Sequence, residues 1–282
     1  PLLDRAHVAH VVVHPGLVVL HKCSVHVRRR PTSTVARGIV AARLALLPPR
    51  QRQLGLGAAN GISTYFSANC DEADAEISGR FLESLKLSPY NTRLFKARDG
   101  AYTVLLASSL TSASNDADDP IATLCRKHRF EGKTFTIRRG DYAPLMARVV
   151  SALQAAGQYA DNASQAAMLD RYIDSFTYGS IEAHKQGSRH WIRDQGPAVE
   201  SYIGFIESYR DPSGARGEWE GFVACVNREV SRKFQKLVDG AEAMLQLMPW
   251  PRKFEKDTFI RPDFTSLEVL AFGSSGVPLG IN

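Results

Sequence analysis

The stretch from Val199 to Glu220, VESYIGFIESYRDPSGARGEWE, alternates side-chain character up to a turn rich in Asp, Pro, Ser and Gly. Alternation of period two, closed by such a turn, predicts a strand. Alternate side chains of a strand share a face, so Val199, Ser201, Ile203, Phe205, Glu207 and Tyr209 line up, apolar first and polar at the tip. Glu200, Tyr202, Gly204, Ile206 and Ser208 take the other side. If the turn at Asp211-Pro212-Ser213-Gly214 folds the chain back, Glu218 and Glu220 join the tip. A core strand does not ordinarily end in carboxylates and a tyrosine. The tip reads as a receptor for a cationic ammonium with a tyrosine donor beside it, or as a solvent-facing strand end whose acids pair with Arg210 and Arg216. On the residues alone the second is the simpler reading.

Outward from this stretch, helices and strands mix. Residues 71–86 form an amphipathic pattern with acids in the first turn, where a helix dipole favours them. Leu94–Ala97 and Tyr102–Leu106 flank Arg98-Asp99-Gly100, a hairpin signal. TSASNDADDP (111–120) reads as a solvated loop whose aspartates lack calcium-loop spacing. KTFTIR (133–138) predicts a strand, after which Asp141 is expected to cap a helix to about Gln158 with Pro144 in its first turn. Further helices are expected over about Ser164–Thr177 and from the cap Ser180 to Trp191. Phe222–Leu247 reads as one long helix. The sum is an α+β fold.

Composition narrows the partners. The chain carries a net charge of +6, but residues 1–50 hold eight Lys and Arg against Asp4, so the remainder is close to neutral. A near-neutral body has no bulk electrostatic reason to seek phosphate, which argues against nucleic acid. No run of about 18 uncharged apolar residues suggests a membrane span. The four cysteines, Cys23, Cys70, Cys125 and Cys225, are scattered, as expected of structural thiols in a reducing compartment. His7, His10 and His14 stand at helical spacing, but Val11-Val12-Val13 and Pro15 speak against a helical metal site. His184 and His190, six apart, are a poor ligand pair. Neither a Gly-x-Ser-x-Gly elbow nor a P-loop occurs.

Longer strings add a resemblance. GDYAPLMARVVSALQAA (140–156), SFTYGSIEAHKQGSRHWIRDQGPAVESYIGFIESYRDPSGARGEWEGFVACVN (175–227), LGLGAANGISTYFSANC (54–70), FEKDTFIRPDFTSLEVL (254–270) and GVPLGIN (276–282) together resemble the dipeptidyl peptidase III family over about residues 51–282. The resemblance implies a two-lobed zinc peptidase that removes dipeptides from the N-terminus of short peptides. It places residues 51–227 in a lower, substrate-anchoring lobe with a β-barrel-like core, 228–265 in a helical excursion into the upper lobe, and 266–282 in a return. Residues 1–50 form an unmatched basic head, transit-like or artefactual.

Residue by residue, Glu207 resembles the glutamate that binds the substrate ammonium. Tyr209 resembles the catalytic tyrosine that hydrogen-bonds the scissile region. Glu220 resembles another acid lining the site, and Asn282 an asparagine holding the substrate's amino end. Pro278 and Gly280 resemble an edge that pairs with substrate backbone. Leu279 departs from the small residue expected there. The family's zinc motif is His-Glu-x-x-x-His, completed by a glutamate in Glu-Glu-x-x-Arg-x-Glu. No histidine of this chain is followed by glutamate. The resemblance therefore implies zinc in a full-length parent, no zinc ligands here, and an inactive chain when alone. It further implies short-peptide partners, a cytoplasmic location and a monomer. The alternative is a non-catalytic relative that binds peptides or scaffolds partners.

Overall fold

A computed structural model describes residues 53–57, 60–114, 119–194, 196–260 and 264–273. They divide into two compact units. The first comprises the chain up to Arg193 together with Ile203–Glu220; the second comprises Asp194–Tyr202 and the chain from Gly221 onward. The residues 1–50, Pro278, Leu279, Gly280 and Asn282, on which several expectations rest, lie outside the described residues.

In the first unit, helix α1 (Glu72–Ser84) starts at Asp71, whose carboxylate accepts from the Asp74 amide at 3.0 Å while Asp74 accepts from the Asp71 amide at 2.9 Å. This reciprocal cap satisfies donors that the first turn leaves open. The buried face of α1 carries Phe81 and Leu82 onto a four-stranded sheet of β1 (Thr92–Lys96), β2 (Tyr102–Ala107), β3 (Lys127–Phe130) and β4 (Lys133–Asp141), in the order β1-β2-β4-β3. The expected β1–β2 hairpin is antiparallel, as is β3–β4, while β2 runs parallel to β4. Phe135 is sandwiched at the centre, its ring 4.1 Å from Phe81 and 4.6 Å from Tyr102.

A second core of the same unit is helical. α2 (Ala143–Gly157), α3 (Ala163–Tyr178) and α4 (Ile181–Trp191) enclose Met146, Leu153, Met168, Leu169, Tyr172 and Phe176. Asn162 and Ser180 cap α3 and α4 through side-chain oxygens. Against this core pack Ile203 and Phe205 of β5 (Val199–Glu207) and Trp219 of β6 (Glu218–Val226). Trp219 stands edge-on to Phe205, centroids 5.4 Å apart.

The second unit holds the other halves of β5 and β6, helices α5 (Arg228–Asp239) and α6 (Ala241–Leu245), and β7 (Leu267–Gly273). The sheet order is β5-β6-β7, with β6 and β7 antiparallel. Asn227 ties the unit together. Its side chain caps α5 at Val230 and donates to Glu268, and its amide donates to the Ser266 carbonyl. Phe222, Ala224 and Val238 are buried.

The α+β expectation holds, and among the described residues both sheets are open, with no closed barrel. Three local expectations change. Residues 222–226 are strand rather than helix, because Gly221–Val226 pair with β7 and Asn227 then starts α5. Asp141 ends β4 and binds Arg93 instead of capping α2, whose first turn follows Tyr142 in a left-handed conformation. Asp119, at the end of the loop expected to be solvated, is buried against Arg139.

Candidate functional site

The tip of β5 and β6 is built from inside outward. The apolar side chains of the tip strands, Ile203, Phe205 and Trp219, are held by the helical core, so the strand ends project from a fixed base. The turn between them is closed by Asp211. One carboxylate oxygen of Asp211 accepts from the Ser213 hydroxyl at 2.7 Å and from the Ala215 and Arg216 amides at 3.0 and 2.7 Å; the other accepts from the Ser213 amide at 3.1 Å. Arg216 is buried beneath the turn, its guanidinium 4.3 Å from the Phe66 ring centre and 3.8 Å from the Asp211 carboxylate. Burial pushes the Arg216 guanidinium down, with Asp211 opposing. Gly217 closes the loop: its amide donates to the Tyr90 carbonyl at 2.8 Å, and a Cβ there would sit 2.8 Å from the Phe205 backbone.

At the tip Glu207 is half-buried and Tyr209 is 82% exposed. The Glu207 carboxylate and its charge, and more weakly the charge of Glu220, hold the Tyr209 phenol above its usual range. The chain reversal thus brings Glu220 into the electrostatic reach of Tyr209. Glu218 pairs with Arg210 at 3.3 Å. Its charge and that of Asp211 add to burial in raising the Tyr65 phenol.

The two readings of the tip are both partly present. Arg210 does pair with an acid of the turn, while Arg216 lies against Asp211 and Phe66. Glu207 and, more weakly, Glu220 both act on the Tyr209 phenol. Sequence reasoning missed Asp211 and Arg216 as the clasp of the turn; an aspartate immediately before Pro-Ser-Gly was the available signal. Chemically, a half-buried carboxylate near a phenol at a strand end can accept a primary ammonium and align it by charge-assisted hydrogen bonds.

Among the described residues no group of three or more His, Cys, Asp or Glu side chains is placed to hold a metal ion. None of the described residues is therefore assigned to a zinc centre, and no chemistry through one is given to them. No helix among the described residues is long and apolar enough to cross a membrane.

The described residues form an α+β scaffold with an acid-and-tyrosine strand tip, and comparison with known proteins gives its family. Peptidase family M49 matches residues 38–282. The chain belongs to peptidase family M49. Dipeptidyl peptidase 3 of Homo sapiens is 56% identical over 240 residues, covering 84% of this chain and 32% of that protein. The proteins of the same name from Nematostella vectensis and Dictyostelium discoideum are 54% and 50% identical, each over 84% of this chain and 33% of their own length. The chain thus spans about a third of the length of these relatives. A solved structure of DPP III from Caldithrix abyssi shares the fold at a TM-score of 0.51 and 16% identity, covering 75% of this chain and 34% of that one.

Proposed function

We propose that this chain is the substrate-gripping part of a dipeptidyl peptidase that releases dipeptides from the N-terminus of short peptides. The observation that carries the reading is the exposed Tyr209 phenol at the strand end, whose titration Glu207 and, more weakly, Glu220 push up. In this reading Glu207 receives the peptide's terminal ammonium. Tyr209, freed to turn toward the ligand, hydrogen-bonds near the scissile bond as the catalytic tyrosine. Glu220 adds negative charge on the same side, which favours a cationic amino end. Pro278, Gly280 and Asn282 would line the peptide backbone as a pairing edge. A fixed ammonium sets the length from the amino end to the bond that is cut, and so the dipeptide product.

Hydrolysis also requires an activated water, which zinc supplies in metallopeptidases. We assign that zinc to the full-length parent and none of its ligands to this chain. Residues 51–227 and 266–282 would then belong to a substrate-anchoring lobe and 228–265 to a second, helical one, in a monomeric cytoplasmic protein. The identity with proteins named dipeptidyl peptidase 3 supports the reading.

The test compares a tetrapeptide with a free amino terminus and its N-acetylated twin, titrated calorimetrically into the 282-residue chain. The free amine is expected to bind tighter, and Glu207→Gln to abolish the difference. Equal binding of the two peptides would sink the grip. With added zinc, the chain alone is expected to turn over no dipeptidyl arylamide; clear zinc-dependent turnover would overturn the placement of the metal.

A further inference from the structure

His184 is a buried titratable side chain that the peptide grip does not use. It sits in the first turns of α4, 8% exposed, with its ring stacked on Tyr172 at 4.9 Å between centroids and 19° between planes. Its Nε2 lies 3.0 Å from the carbonyl oxygen of Ile203. A carbonyl only accepts, so Nε2 carries the hydrogen and donates it. Burial pushes the imidazole down, against the pull of the Ile203 bond, which favours the neutral ring.

The strand is shaped to receive this ring. The residue after Ile203 is Gly204, where a Cβ would stand 2.3 Å from His184 Nε2, so any side chain there would displace the imidazole. Among the described residues β5 stands at one end of its sheet order. His184 supplies a side-chain donor to the Ile203 carbonyl of that strand. The side chains of Ile203 and Phe205 enter the helical core on either side of the contact. Stacking fixes the ring, the ring fixes the Ile203 carbonyl, and Glu207 follows four residues on, about 13 Å along the strand.

We propose that His184 is a positioning residue for the ammonium grip: its bond to Ile203 holds the outer half of β5 so that Glu207 and Tyr209 present to one ligand together. The proposal rests on the peptide-gripping reading for its function and on the His184–Ile203–Gly204 geometry for its structure. The role demands an N–H donor at the reach of Nε2. A glutamine amide reaches that far; an asparagine amide, one bond shorter, does not; a leucine has no donor.

The experiment has two arms on the 282-residue chain and its variants His184→Gln, His184→Asn, His184→Leu and Gly204→Ala. The first follows amide hydrogen exchange. Amides of residues 203–209 are expected to exchange about tenfold faster in His184→Leu, His184→Asn and Gly204→Ala than in the wild type or His184→Gln, while α1 and the first sheet stay protected. Unchanged protection of 203–209 in His184→Leu, or no rescue by His184→Gln relative to His184→Asn, overturns the proposal. Should His184→Leu fail to fold, Gly204→Ala acts on the same contact from the strand side and decides it.

The second arm measures the preference for the free-amine tetrapeptide over its acetylated twin. It is expected to fall about tenfold in His184→Asn and to return in His184→Gln. A wild type without preference sinks the grip, and the exchange arm then decides alone whether His184 sets the strand. A preference that survives in His184→Asn despite faster exchange sinks the positioning role and leaves the grip standing.

Discussion

The first sheet and the tip of β5 and β6 use the same residue types to opposite ends. In the sheet, charged groups are closed in on one another. Asp119 and Arg139 are fully buried as a pair. Asp74 accepts from the Tyr102 hydroxyl at 2.5 Å and from Lys96 at 2.8 Å, and Arg93 forks onto Asp141 at 2.6 and 2.7 Å. At the tip, Tyr209 stands in solvent and Glu207, which acts on its phenol, is half-exposed. Buried carboxylates that are internally saturated build the scaffold; a carboxylate left open toward water can exchange its partner for a ligand.

The comparison breaks most forcefully at Arg139. Removing it leaves the Asp119 carboxylate buried and uncompensated, so Arg139→Ala is expected to cost about 3–5 kcal/mol, read from the denaturant midpoint. A loss near zero would mean that the pair is no part of the scaffold. Acid should act in the same direction. Burial alone would raise the Asp119 carboxyl, but the Arg139 guanidinium, the Ile121 amide and the Ser114 hydroxyl outweigh it and hold it well below the usual range. At Asp74 the same burial is outweighed by Lys96 and Tyr102. Both folded values lie below that of an unfolded aspartate, about 3.9, so their stabilisation is complete above it and is lost as pH falls through the folded values. The urea midpoint should therefore begin to drop as pH falls to about 4 and go on dropping below that, less steeply in Asp119→Ala.

Glu207→Gln should do the converse: weaken binding of the free-amine peptide about tenfold or more while leaving the midpoint unchanged. A lowered midpoint would move Glu207 from the grip into the scaffold. Tyr102→Phe takes one donor from the buried Asp74 and is expected to cost about 1 kcal/mol with peptide binding intact. Smallest is Tyr209→Phe, with no change of midpoint and a few-fold loss of peptide affinity at most, on the scale of one neutral hydrogen bond.

What could be read from the sequence was local. The alternation of 199–209 and the turn after it foretold the strand, its tip and the arrival of Glu220, because period and turn chemistry act over a few residues. The cap at Ser180 and the acids in the first turn of α1 were legible for the same reason. The misreadings share a distant partner. Phe222–Val226 looks helical until β7, some 45 residues later, takes up its backbone. Asp141 looks like a cap until Arg93 claims it, 48 residues away, and Asp119 looks solvated until Arg139 does so at 20. His184 was set aside as a poor metal ligand; its bond to Ile203 has no signature beyond a glycine in the middle of a strand.

The division of the chain between the two units has a consequence for cutting it. The first unit is not contiguous: it is left after Arg193, re-entered at Ile203 and left again after Glu220. A polypeptide trimmed at Arg193 keeps every helix of the second core yet lacks Ile203, Phe205 and Trp219, which plug its flank. Such a trimmed chain should show a hollowed helical layer that binds apolar dyes. A chain ending after Glu220 carries the plug with it, so limited proteolysis that yields a stable amino-terminal piece should stop there.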